Sequence, residues 1–158
     1  MQKEDLQKLI KAQPTLKEKL TLLFPLIAQV GQEEYDAWEQ DEEGYDVELG
    51  GGGICHLIAE EVADTINEYI PEGLHTTQSA THMQHVYVVS FLKGKDGEIE
   101  GYSVDISPYL YEEGGGFCWR KLPDVEFQAD WVELYPAELE DQFDEFELEE
   151  LDWWIHGQ

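Results

Sequence analysis

The sequence predicts a single α+β domain over residues 1–158: N-terminal helices, a central helix that starts at a cysteine, and a small antiparallel β-sheet. Three observations carry that reading. Apolar residues recur at helical spacing through the first seventy positions, and β-branched and aromatic runs separated by turn residues follow them. Helices followed by strands, rather than strands alternating with helices, is the order of an α+β chain. A length of 158 residues gives room for one core.

The helices come first. Residues 3–12 mix Lys and Glu with Leu6, Leu9 and Ile10 on one side. Pro14 suits the start of a second helix, whose apolar stripe is Leu16, Leu20, Leu23, Ile27 and Val30, and Pro25 is expected to kink it. Glu33–Gln40 extends the helix, and Asp41–Asp46 reads as a polar loop. Four consecutive glycines, Gly50 to Gly53, then mark a tight turn or a close backbone approach. Directly after them Ile58, Val62, Ile66 and Ile70 recur every four residues, which predicts a strong helix over Ile54–Ile70 stopped by Pro71 and Gly73.

The strands follow. Leu74–Gln84 is Thr-rich and reads as a loop carrying His75 and His82, a plain surface loop in preference to a covering lid. Val86–Leu92 is the strongest strand signal, residues 93–97 are a turn, and Ile99–Ile106 is the returning strand. Shorter strand candidates lie around Phe117–Leu122, Val125–Phe127 and Trp131–Leu134. Ala137–Ile155 alternates acids with bulky apolar residues and reads as a terminal helix, or equally as a partner-binding tail. By organisation, residues 1–40 read as N-terminal helices, 50–135 as the candidate core for any chemistry and 136–158 as an acidic C-terminal helix or tail.

Charge limits the partners. Acidic residues number 36 against 9 basic ones, for a formal net charge of −27. No basic surface is left to displace counterions from phosphates or to meet anionic lipid, which excludes ordinary nucleic-acid and membrane-surface binding. Glu33–Glu48 holds nine acids and Asp124–Asp152 thirteen, with no base in either block. Solvated faces are the plain reading of such blocks; a surface that mimics DNA is the sharper one. No apolar run reaches the length of a membrane span or an export signal, so a cytoplasmic protein is expected. The two cysteines, Cys55 and Cys118, form no CxxC motif and are expected to be reduced thiols.

The candidate chemistry centres on Cys55. A thiol in the first turn of a helix is stabilised as thiolate by unpaired N–H groups and the helix dipole. His85 opens the best strand, and Asp105 lies near the end of the next. A two-residue Asp96-Gly97 turn would set residue 88 opposite 105. A three-residue loop of Lys95, Asp96 and Gly97 would set Tyr87 opposite Asp105, with His85 its diagonal neighbour on the same face. The second register is favoured because it leaves a polar aspartate in an apolar strand with a partner. Cys55 is then the candidate nucleophile, His85 the general base and acid, and Asp105 the group that orients the imidazole. Gly52 and Gly53 are the candidate oxyanion loop, and His56 and Tyr87 the substrate rim. His82 and His85 form an HxxH, but residues three apart on a strand face opposite ways, so no metal site is expected. Cys118 in its Phe-Cys-Trp run reads as a small buried hydrophobe.

The order of Cys at a helix start, His on a strand and Asp on the next strand resembles the papain-like superfamily of thiol enzymes, whose transglutaminase-like domains and NlpC-type cell-wall peptidases match the size best. More closely, Leu49–Cys55 (LGGGGIC) with Ile58-Ala59, and Asp105-Ile106 with Pro108, Tyr111-Glu112, Gly114–Gly116 and Trp119, are similar to a group of small uncharacterised bacterial and phage proteins. That likeness spans roughly residues 35–135. No Gln or Asn precedes Cys55 at the papain position, and Tyr87 stands where transglutaminase-like sites carry Trp. The resemblance implies a cysteine hydrolase or acyltransferase acting on an amide, peptide or thioester bond, with no cofactor. The negative field implies a neutral or cationic small-molecule or peptide substrate. The alternative is a non-catalytic acidic interaction protein, possibly a DNA mimic, that engages a basic protein partner.

Overall fold

Proline chemistry divides the N-terminal helices. In the computed structural model, which describes residues 2–40, 54–80, 85–106 and 126–157 (backbone alone at 38–40, 54, 55, 80 and 85), α1 spans Lys3–Ala12, α2 Leu16–Leu22 and α3 Phe24–Gln40. Where a kinked helix was expected, two helices meet at Leu23. Pro25 has no N–H to continue the ladder, so it sits in the first turn of a new helix, where that N–H is not needed. Thr15 caps α2 by accepting from the Glu18 N–H at 3.1 Å. Glu100, from the sheet, adds a carboxylate that accepts from the N–H groups of Leu16 (2.9 Å) and Lys17 (3.2 Å). The buried Lys19 does the converse, donating from Nζ to the carbonyls of Ile10 (3.0 Å) and Lys11 (3.3 Å) at the end of α1.

The central helix α4 spans Ile54–Tyr69, as its four-residue apolar period predicts. A tight reversal, with the Gly73 N–H donating to the Ile70 carbonyl, leads into β1, Leu74–Ala80. The predicted loop is therefore a strand. Its residues pair without interruption from Leu74 opposite Phe91 to Ala80 opposite His85. A neighbouring strand that pairs the inward-facing backbone groups outweighs the polar composition, and threonine suits a pleated surface.

With β2 (His85–Lys93), β3 (Ile99–Ile106) and β4 (Val132–Pro136), the sheet is an antiparallel meander in the order β1-β2-β3-β4. Its hairpin takes the three-residue form: the Gly94 N–H donates to Glu98 O at 2.7 Å, and Gly97 is left-handed at φ 83°. Val88 consequently faces Val104, and the same register sets Tyr87 opposite Asp105. Helices and an antiparallel sheet make the chain α+β.

The strand period of two gives the sheet two different faces. Val88, Val104, Ile106 and Val132 join Leu20, Ile27, Tyr35, Ile58, Val62 and Ile66 in the larger core, beneath α2, α3 and α4. Gly31 lets α3 approach closely, since a Cβ there would stand 2.7 Å from the Ile106 side chain. Val89 and Phe91 point the other way, into a smaller core with Phe143 and Trp154. The cover on that side is three short helices, α5 (Leu139–Gln142), α6 (Glu145–Glu150) and α7 (Asp152–Ile155), rather than one helix or a detached tail. The break is chemical. Phe143 is extended and lays its ring 6.0 Å from that of Phe91, and Asp144 starts α6 with a reciprocal capping box to Glu147.

Residues 126–128 form no strand. Phe127 instead packs its ring between Tyr35 (5.6 Å) and Trp131 (5.4 Å), ahead of a single 3-10 turn at Ala129–Trp131. The expected loop Asp41–Asp46, the glycine runs, the strand Phe117–Leu122 with Cys118, and His82 lie outside the described residues. No helix among the described residues is long and apolar enough to cross a membrane.

Candidate functional site

The start of α4 is the element that would carry the nucleophile, and the topology sets the direction in which that helix runs. The last turns of α4 are tied to the first residues of β1. Asn67 Nδ2 donates to the carbonyls of Ala63 (3.0 Å) and His75 (3.1 Å), and His75 Nε2 donates to Ile70 O at 2.8 Å. From that anchor the 16 residues of α4 run back about 24 Å. The seven residues of β1 cover nearly the same distance, about 23 Å. By length, α4 reaches back toward the end of β1, where Ala80 pairs with His85. Antiparallel pairing brings the end of β3, with Asp105, to the same end of the sheet. The end of β1, the start of β2 and the end of β3 therefore lie together, and α4 runs back toward them.

They do not share one face. Position 85 has the register phase of Tyr87, Val89 and Phe91, and Asp105 faces Tyr87, so positions 85 and 105 are diagonal neighbours in one phase. The helix α4 packs against the other phase, on Val88 and Val104. Gly52 and Gly53 lie outside the described residues, and Cys55 and His85 are placed by their backbone alone.

Asp105 sits in a half-buried polar patch. Its Oδ1 accepts from the N–H of Ile106 at 3.0 Å. Across the β3–β4 pair it faces Glu133, a like charge directly opposite. Tyr87 Oη donates to Gln142 Oε1 of α5 at 2.9 Å, and its pKa is raised by burial and then by the negative charge of Asp105. Tyr135 donates to Glu133, and that bond, together with nearby carboxylates including Asp105, raises its pKa as well. The proposed rim residue Tyr87 therefore touches Asp105's surroundings, whereas His56 is exposed on α4 and pairs with Glu60 along the same helix at 3.1 Å.

Sequence reasoning passed over Glu133, Tyr135 and Gln142. The first two were within reach, because in VELYP they alternate with the apolar Val132 and Leu134. Gln142 was not, since it arrives through the folding back of α5. His75, expected on a surface loop, is buried under the first face, and burial pushes its pKa down to about 4 against the pull of the Ile70 carbonyl and Glu72. Among the described residues, no group of three or more His, Cys, Asp and Glu side chains is arranged to hold a metal ion.

Chemically, the described part of this end supplies a carboxylate in register with position 85, ringed by phenols and a second carboxylate. Such a patch favours a positive charge brought to it, whether an imidazolium or a cationic group of a ligand. Comparisons with protein-family models, with curated proteins and with solved structures returned no match.

Proposed function

We propose that this chain is a cysteine hydrolase or acyltransferase of papain-like type, acting on an amide, peptide or thioester bond in a reducing, cytoplasmic setting. What supports it is the strand pairing that puts the start of β2 and the end of β3 at one end of the sheet, toward which α4 runs back. In this reading His85 takes the proton of the Cys55 thiol, and the thiolate attacks the substrate carbonyl carbon. The imidazolium then protonates the leaving group as the carbonyl–leaving-group bond breaks, which leaves an acyl thioester on Cys55. Water, or an acceptor nucleophile, releases the acyl group, again with His85 as base. Asp105 holds the imidazole in place, and the backbone N–H of Cys55 and the Gly52–Gly53 loop bind the oxyanion.

The shared phase of positions 85 and 105 suits a histidine–aspartate pair. The opposite phase of the α4 contact requires the sulfur to meet the imidazole past the end of the strands rather than over the sheet. A field of −27 charges opposes a lone thiolate but favours an imidazolium, so it works in favour of the ion pair and of neutral or cationic substrates. The test is a panel of amide and thioester substrates run with the wild-type chain, Cys55→Ala and His85→Ala. The reading expects turnover that Cys55→Ala abolishes and His85→Ala lowers by about two orders of magnitude or more. Turnover that survives Cys55→Ala contradicts it.

A further inference from the structure

A second feature lies at the opposite end of the sheet and does not depend on thiol chemistry. Past Pro136 the chain stays against β3, because the Ala137 N–H donates to Gly101 O at 3.0 Å. Glycine is required at 101, since a Cβ there would stand 2.4 Å from both the Ala137 carbonyl and the Phe91 ring. The chain then rises into α5, covers Phe91 with Phe143, and returns through α7. Lys93 holds that return, with Nζ 3.1 Å from Gly157 O and 5.3 Å from the centre of the Trp154 ring. Between the first turn of α5 and the end of α7 a groove of about 470 Å³ stays open. Phe91, Ile99, Leu139 and Ile155 give it apolar lining, and the exposed Glu138 and Glu140 line it as well. His156, also on the lining, is paired back to Asp152 at 3.7 Å.

We propose that this groove docks a basic peptide segment, one apolar side chain seated on the apolar lining and flanking Lys or Arg residues meeting Glu138 and Glu140. The volume fits one large side chain and its backbone rather than a folded surface. Charge complementarity selects the flanks. Of the two hairpin lysines, Lys93 is engaged with the C-terminus and Lys95 stands beside Asp96 and Glu98, so the field at the groove is negative. The acidic C-terminal block is thereby given a directional role: it steers a cationic segment to a groove that carries apolar side chains among its lining.

Fluorescence anisotropy tests this with a fluorescein-labelled Gly-Lys-Lys-Leu-Lys-Lys-Gly peptide and its Leu-to-Ser counterpart. We expect saturable binding that E138Q/E140Q weakens about tenfold, and that the Ser peptide weakens comparably. Ala137→Leu, which fills the groove without altering charge, is expected to weaken it to a similar degree. The distant exposed pair E4Q/D5N, carrying the same change in net charge, should shift affinity by less than about twofold. Absence of saturable binding overturns the proposal. So do equal losses in the two acid pairs, or a Ser peptide that binds as well as the Leu peptide, because either would mean general attraction to an acidic protein.

Discussion

The two faces of the sheet are made from the same strands by alternation, yet they are put to different uses. The first face buries Val88, Val104, Ile106 and Val132 under three helices, in a core with the fully buried Leu16, Leu20, Leu23, Ile27, Tyr35 and Ile66. The second face carries Val89 and Phe91 beside a patch of Tyr87, Asp105, Glu133 and Tyr135, under short acidic helices. Stability is thus concentrated on one side and polar chemistry on the other. The groove and the Asp105 patch both belong to the second face, at opposite ends of it. A region with a smaller core and a lighter cover is where a protein can hold partly exposed charge without losing its fold.

Breaking the first face should cost most. Ile66 is fully buried against the sheet, so Ile66→Ala is expected to lower the free energy of unfolding by about 4 kcal/mol, through lost burial and a residual cavity. Urea unfolding followed by far-UV circular dichroism reads that value. A loss under about 1 kcal/mol would mean that α4 is not the main cover of the sheet.

A pH series sharpens the same contrast. His75 is held neutral under the first face with a folded pKa of about 4, against the usual 6.5. The unfolded chain takes up the proton first as pH falls. The stabilisation is therefore complete above pH 6.5 and is lost progressively toward pH 4. Between pH 7 and pH 5 the wild type should lose about 2 kcal/mol relative to His75→Leu, both measured in urea. Taking the difference removes the contribution of the shared carboxylates. A difference that does not change with pH would contradict the burial of His75.

The smallest effect is expected on the second face. Tyr87→Phe removes the bond to Gln142 and should cost about 1 kcal/mol. Amide exchange should quicken over Leu139–Gln142 while the amides of α4 keep their protection. Equal loosening of both would show that the two faces are one cooperative unit.

Much of this contrast was written in local sequence. The turn residues of the β2–β3 hairpin admit a two- or a three-residue loop, and the observed register is the one that gives Asp105 a partner, with Gly97 left-handed inside the loop. The α4 period survived intact because sixteen residues repeat one apolar spacing. The edge strand β1 was hidden, since its hydrogen bonds come from a partner and its threonines advertise nothing apolar. The break in the C-terminal segment carried a signal that went unread, the Asp144-x-x-Glu147 capping box. The face on which α4 packs was not legible at all. Which side of a sheet a helix covers is a tertiary fact, and it separates the α4 contact phase from the phase of Asp105.

If His85 activates the Cys55 thiol, the sulfur is a thiolate at a pH where a free thiol is protonated. The rate of iodoacetamide alkylation at Cys55 as a function of pH, read by peptide mass mapping so that Cys118 is scored separately, measures this. Cys55 is expected to react faster than a free thiol below pH 7, and His85→Ala to remove the advantage. A Cys55 that reacts no faster than a free thiol there, or whose rate is unchanged in His85→Ala, would contradict it.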